Sequence, residues 1–531
     1  MVVDQLVLVF VLALATILAQ PLGRRTGLPP AVLMTVLGIV LALIPAVPNI
    51  DLRPELILPL VLPPLLYGAA RRTSWQQFAA NSGAILLRAV GLVAATAAAV
   101  AFAAHAWWPG LPLASAFALG AVVAPPDPVA VGAILGKLGL PRRLTALLDG
   151  EGLFNDVTAV VLYEVAVAAA VTGHFSAWHA LADFSVSALV AVAVGLVLGW
   201  AGSVVVRRLD EAIWQVGFGL VLPFAAYGLA DSWHGSGVLA VLICALYLTD
   251  AATDFSDSAY RIVGESVWEV IDMMVTGLAF GIIGLELSTV LAAAGEHWPR
   301  LLGGTAVVVA VVVGLRLVWL MATYLLLGGY WRRHDTDEPY TWRETVVTWW
   351  AGIRGVATVA LALAVPLGTD SGEPFPGRAE VLFAAFGVVL FTLLVQGPTL
   401  AVVVRLTGVR ADTEAERATE LRLWTRILRA ELDRLDEITA EQNLPPEVYR
   451  KVRAGIEQRL TRADPDAAEQ DADAERDRQR ALRIRGRLAE ISHSVLEAGR
   501  TEALRARREP GFPPQVVDRV MMRLDLRPNL F

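Results

Sequence analysis

The chain has 531 residues, of which 56% are hydrophobic and 18% charged, with a formal net charge of −7. That balance excludes a soluble globular enzyme, and nothing in it points to a nucleic-acid partner. Cys244 is the one cysteine, so no intrachain disulfide is available.

The chain reads as an all-α, polytopic membrane protein. Its first apolar stretch, 2–22, has no basic leader and no small-residue cleavage site before a polar domain, so it is expected to be a retained helix. Crossing about 30 Å of hydrocarbon takes about 20 apolar residues. Windows of that length mark thirteen spans, at 3–22, 28–47, 54–70, 83–108, 112–136, 144–171, 181–206, 212–230, 236–250, 266–289, 301–328, 344–366 and 379–406. Basic residues separate cleanly between alternate connections. Arg24, Arg71, Lys137, Arg142, Arg207, Arg261 and Arg332 fall on one side, whereas the other holds only Arg53, Arg300 and Arg378. Cytoplasmic loops are the basic ones, which puts the N-terminus outside and the C-terminal tail inside. The expected domains are a membrane domain over 1–408 and a helical cytoplasmic tail over 409–531. The tail carries a leucine pattern at Leu421, Leu423, Leu428 and Leu432, a break at Asn443–Pro446 and a charged stretch from Thr461 to Arg480.

Two spans must break. Pro125, Pro126 and Pro128 surround Asp127, and each proline removes a backbone donor and clashes with the preceding turn. Irregular backbone at membrane depth survives only where protein or a watery cavity surrounds it. Asp127 is read either as a cap on the following half-helix or as a direct ion contact. Arg354, between Gly352 and Gly355, marks a second break or close approach in the twelfth span. If the first and last six spans are inverted repeats about the seventh, these interrupted segments occupy equivalent positions, the pattern of a transporter site.

The sixth span holds Glu151, Asn155 and Asp156. Intramembrane charges cost about 2.5–3.5 kcal/mol each on insertion scales and face partners or cavities. Glu151 and Asn155 share a helix face, while Asp156 turns about 100° further round. Asp156 is therefore expected to meet a cavity and Glu151 to point into the protein toward a cation. Arg316, deep in an apolar helix, is assigned to Glu151 as a structural ion pair, and Arg354 to the broken-helix crossing. The bland reading is that these charges only hold helices together. Glu164, nearer the outer end, is expected to be interfacial or hydrogen-bonded and not ion-binding. No His-Glu-x-x-His motif or convincing dyad beside Ser236 supports an intramembrane hydrolase, and no cofactor motif is present; a channel would differ by conducting current.

The ordered stretches Pro126–Val131, Glu151–Asp156, Ser236–Ala240, Trp268–Asp272 with Gly281–Leu285, Arg316, and Gly352–Gly355 resemble the monovalent cation:proton antiporter family that includes sodium/proton exchangers. The resemblance implies that Asp156 alternately carries Na+ and a proton, with Asn155 beside it, Glu151 and Arg316 as a stabilising pair, and Asp127, Pro126, Pro128 and Arg354 at crossed, unwound helices. It implies an electroneutral exchanger of one cation for one proton, a plasma-membrane homodimer serving pH and sodium homeostasis, with Li+ or K+ as alternative cargo. Two positions depart from the pattern. Gly68 follows Tyr67 where the family often has an acid, and Gly152 stands where many members have serine. Fewer side-chain oxygens are then expected around the ion, leaving more of its coordination to Asp156 and to backbone carbonyls near Asp127.

Overall fold

Long runs of alanine, valine and leucine can lie in lipid only if each segment satisfies its own backbone, and here they do so as helices. The structure, a computed structural model, describes residues 2–45, 47, 54–72, 82–127, 130–132, 139–173, 177–252, 258–334, 341–411, 413–442 and 444–463. It divides into two compact units, Met1–Ala411 and Asp412–Phe531.

The first unit contains α1 (Val2–Thr26), α2 (Pro30–Ala42), α3 (Pro54–Arg72), α4 (82–107), α5 (Leu113–Val123), α6 (Arg142–Thr172), α7 (Ala177–Val206), α8 (Ala212–Ser232), α9 (Gly237–Ala252), α10 (Ser258–Leu285), α11 (Leu287–Ala294), α12 (Trp298–His334), α13 (Trp342–Trp350), α14 (Val356–Leu363) and α15 (Arg378–Thr407). Among the described residues eight helices are long and apolar enough to cross a membrane, accompanied by three shorter apolar ones, α2, α5 and α9. The two remaining expected spans fall on α3, which stays helical through Pro59, Pro63 and Pro64, and on the interrupted pair α13 and α14. The described residues are helical nearly throughout, with one isolated bridge among them, between Gly368 and Pro374.

Helix contacts sort the first unit into two groups. In one, α1, α2, α3 and α7 to α10 pack among themselves; in the other, α4, α5, α6 and α12 to α15 do. Within the first group α2 and α10 touch backbone to backbone, since a Cβ on Gly38 would overlap Gly281 O and Gly284 Cα. The Gly281-Ile-Ile-Gly284 motif is thus a packing device. Lipid gives helices no hydrophobic reason to associate, and small residues let them gain contact instead. In the second group α5 and α14 lie against each other and against α6. Ser236 caps α9, accepting from Leu239 N–H at 3.4 Å, which is a structural role.

In the second unit, α16 (Thr413–Gln442) and α17 (Pro446–Ala463) form a helical hairpin around Leu428, Leu435 and Ile456, joined by Leu421, Leu432 and Tyr449. Leu423, expected in the leucine pattern, is instead 56% exposed. Its neighbours on the packed face recur every three or four residues from Leu421, and Leu423 lies off that line.

Candidate functional site

Both expected breaks are present, and they meet. The α5 helix ends at Val123 and the chain runs without helix through Asp127, while residues 352–355 are non-helical between α13 and α14. Asp127 N–H donates to Ile353 O at 2.7 Å, which ties the two unwound segments together. Pro128 lies outside the described residues.

Each break strands helix-end groups that lipid cannot hydrate, and the opposite segment supplies what they lack. The carboxyl end of α5 exposes carbonyls; Arg354 donates from Nε to Val123 O and from Nη2 to Ala124 O, both at 3.0 Å. The amino end of α14 exposes N–H groups, and Val356 N–H donates to Asp127 Oδ2 at 2.9 Å. The other Asp127 oxygen accepts from Ala130 N–H at 3.2 Å. A cation at a helix C-terminus and an anion at two N-termini both match the helix dipoles. Arg354 also donates to Gly352 O, and its own N–H donates to Thr392 Oγ1 at 3.0 Å. Gly355 has no side chain because there is no room for one: a Cβ would overlap Asp127 Oδ2.

The middle of α6 runs past this crossing. Asn155 Nδ2 donates to Pro126 O at 2.8 Å. Glu151 is 1% exposed and accepts from Arg316 Nη1 at 2.5 Å, while Arg316 also donates from Nε and Nη2 to Thr348 O on α13. Arg316 therefore joins α6, α12 and α13. Near the crossing, three buried oxygens of α6 have no hydrogen-bond donor: Glu151 Oε2, Asn155 Oδ1 and Asp156 Oδ1.

Three expectations need correction. Asp156, expected to face a cavity, is 6% exposed and absent from the walls of the nearby cavity, which Glu151 lines instead together with Asp127, Asp149, Gly152 and Arg316. The conformation is closed around Asp156 because Asn155 is tied to Pro126 and the unwound segments close against each other. The carbonyls near Asp127, expected to be open for coordination, already receive side-chain donors at Val123, Ala124 and Pro126. The space beside Gly68 is not short of oxygen either, since a Cβ there would overlap the carboxylate of Asp272 from α10.

Sequence reasoning passes over Arg88, Asp149 and Thr392, and gives Asp272 no role beyond its place in the Trp268–Asp272 stretch. Arg88 is 4% exposed within a π-helical stretch, Leu87–Leu92, of α4. A third arginine in an apolar window is a readable signal by the argument that picks out Arg316. Asp149 is equally readable as an acid two residues before Glu151. The roles of Asp272 and Thr392 depend on contacts between distant helices, which spacing does not encode.

The comparisons with known proteins agree with one another. The profile described as "Sodium/hydrogen exchanger, transmembrane" matches residues 9–406. An uncharacterised Na+/H+ exchanger of Mycobacterium tuberculosis (strain H37Rv) is 34% identical over 472 residues, 87% of this chain and 86% of its own. The Na+/H+ antiporter ApNhaP of Aphanothece halophytica is 32% identical over 411 residues, 77% of this chain and 74% of its own. The sodium proton antiporter MjNhaP1 from Methanocaldococcus jannaschii shares the fold with a TM-score of 0.58 at 18% identity, covering 76% of this chain and 100% of that one. The chain belongs to the sodium/hydrogen exchanger family, secondary transporters that exchange Na+ for H+ across a membrane.

Proposed function

We propose that Asp156 is the carrier, binding Na+ and a proton in alternation and moving between the two sides of the plasma membrane. The observation that supports this most is the pair of sealed, donorless oxygens, Asp156 Oδ1 and Asn155 Oδ1, beside the crossing of two unwound segments. A buried acceptor without a donor costs about 1–3 kcal/mol, more if charged, so it is kept where a ligand supplies the missing charge. Proton and Na+ both do so, and they exclude each other on one carboxylate. An empty, ionised Asp156 would carry an uncompensated charge through a closed state such as this one, which suppresses leak. Glu151 and Arg316 neutralise each other and hold α6 against α12 and α13, so they stay out of the stoichiometry. Asn155 is neutral and serves through its bond to Pro126.

One carboxylate then exchanges one cation for one proton, and transport is electroneutral. The basic connections face the cytoplasm, with the N-terminus outside and the chain beyond residue 408 inside. The working unit is a homodimer, and Li+ or K+ compete for the same carboxylate according to size. Purified protein in liposomes with an imposed pH gradient tests this reading. Sodium addition is expected to collapse the gradient at a rate that a clamped membrane potential does not change. A rate that follows the potential contradicts one-for-one exchange, and potential-driven current without proton movement indicates a channel.

A further inference from the structure

One peptide unit of the crossing is held at both ends. Ile353 O accepts Asp127 N–H at 2.7 Å, and Arg354 N–H, the other pole of the same peptide, donates to Thr392 Oγ1 at 3.0 Å. The described peptide bonds are all trans, and a trans peptide points its C=O and N–H in opposite directions. Asp127 and Thr392 therefore hold the Ile353–Arg354 peptide from opposite sides. Gly352 and Gly355 flank it, and glycine lets the backbone rotate, so the local chain offers little resistance to a flip of this peptide. The second hold comes from α15, a helix that carries neither break.

An irregularity in α15 accompanies this contact. The helix turns π-helical over Thr392–Gln396, where Gly397 N–H reaches back five residues to Thr392 O. Such turns are rare and concentrate at functional sites. Thr35, Thr96 and Thr305, buried in regular helices, donate their hydroxyls to the carbonyl four residues back. Thr392 Oγ1 instead donates three residues back, to Val389 O at 3.1 Å, with Arg354 O at 3.4 Å as the alternative acceptor. Its lone pair is thereby turned to Arg354 N–H. Thr392 is 0% and Arg354 1% exposed, so the bond is held away from bulk water.

We propose that Thr392 is a positioning residue for exchange. Its hydroxyl fixes the orientation of the Ile353–Arg354 peptide, which keeps Ile353 O on Asp127 N–H and the Arg354 guanidinium on Val123 O and Ala124 O. Without the hydroxyl that peptide is free to flip, and both links between the unwound segments weaken together. The hydrogen bonds of Thr392 Oγ1 go to Arg354 and Val389 and not to Asp156 or Asn155, so it governs turnover of the crossing and leaves the ion's own ligands alone. The inference concerns the crossing and holds whichever carboxylate carries the ion.

Exchange kinetics in liposomes and hydrogen–deuterium exchange of the purified full-length protein test this. Thr392→Val, which keeps the shape and removes the hydroxyl, is expected to lower kcat about fivefold or more, the effect of one orphaned buried donor, with KM for Na+ held within about twofold. Thr392→Ser keeps the hydroxyl and is expected to hold kcat within about twofold of wild type. Thr305→Val, which removes a hydroxyl bonded inside its own helix, is expected to leave kcat within about twofold as well. In wild type the Arg354 amide is expected to exchange as slowly as the amides of α14, and in Thr392→Val about tenfold faster or more. The proposal is overturned by wild-type kcat in Thr392→Val, by Thr392→Ser as slow as Thr392→Val, or by a KM that rises as much as kcat falls. A fall in kcat that Thr305→Val reproduces also overturns it, as the mark of a general cost of losing a buried hydroxyl. Fast exchange of the Arg354 amide in wild type overturns it too, and that measurement decides where Thr392→Val cannot be purified. Wild-type exchange in Asp156→Asn removes the carrier reading and leaves each of these outcomes as it stands.

Discussion

Arg316→Ala is expected to lower the stability of the membrane domain by about 3–5 kcal/mol, the cost of leaving one partner of a buried ion pair without the other. Arg316 and Glu151 are 2% and 1% exposed, so both charges are held away from bulk water. The loss is compounded because Glu151 Oε2 already lacks a donor, so the variant would bury a carboxylate with no protein partner on either oxygen. The two bonds from Arg316 to Thr348 O on α13 are lost as well. Thermal unfolding in detergent should show a large downward shift, with low yield. Replacing both charges, as in Glu151→Leu with Arg316→Met, is expected to be milder than either single change, because two apolar side chains leave no charge behind. A double variant as unstable as the worse single one would show that this pair is not what holds α6, α12 and α13 together.

Gly355→Ala is expected to fold less stably and to lose at least about 90% of exchange. A single methyl group there overlaps Asp127 Oδ2, so either Asp127 or the unwound segment must move. Asp127 Oδ2 is the acceptor for Val356 N–H, and losing a helix cap costs about 0.5–2 kcal/mol even where water can substitute. Within a membrane-embedded crossing water does not readily substitute, and the cost rises. The displacement also reaches Ala130 N–H, capped by the other oxygen, and Ile353 O, which holds Asp127 N–H. Exchange rate and melting temperature measured on the same preparation check this. Wild-type turnover in Gly355→Ala would mean that the crossing tolerates rearrangement and that its tight geometry is not required for transport.

How much of this is legible in the sequence depends on whether the physics is local. Pro125 and Pro126 announce a break because a proline cannot donate whatever surrounds it. Glu151, Asp156, Arg316 and Arg354 announce themselves because charge in lipid is costly regardless of partner. That Glu151 and Arg316 lie 2.5 Å apart across 165 positions is a property of packing and follows from no spacing rule. The division of labour at the crossing is likewise hidden. Asp127 caps α14 from the opposite break, and Arg354 covers the carbonyls of α5, so each segment completes the other. The π-helical turns at Leu87–Leu92 and Thr392–Gln396 leave no composition signature, yet the second begins with the hydroxyl that receives Arg354 N–H. Gly68 reads as a missing acid, whereas the carboxylate of Asp272 reaches the same space from another helix.

The central claim is that one carboxylate, Asp156, carries both ions. The direct measurement is Na+-dependent dissipation of a pH gradient by Asp156→Asn in liposomes, beside wild type reconstituted at equal density and shown to be equally stable in detergent. Asparagine keeps the size and buried position of the side chain but holds neither a titratable proton nor a full negative charge for Na+. The account predicts that exchange falls to the level of protein-free liposomes. Substantial Na+-dependent proton flux through a folded Asp156→Asn protein would contradict it.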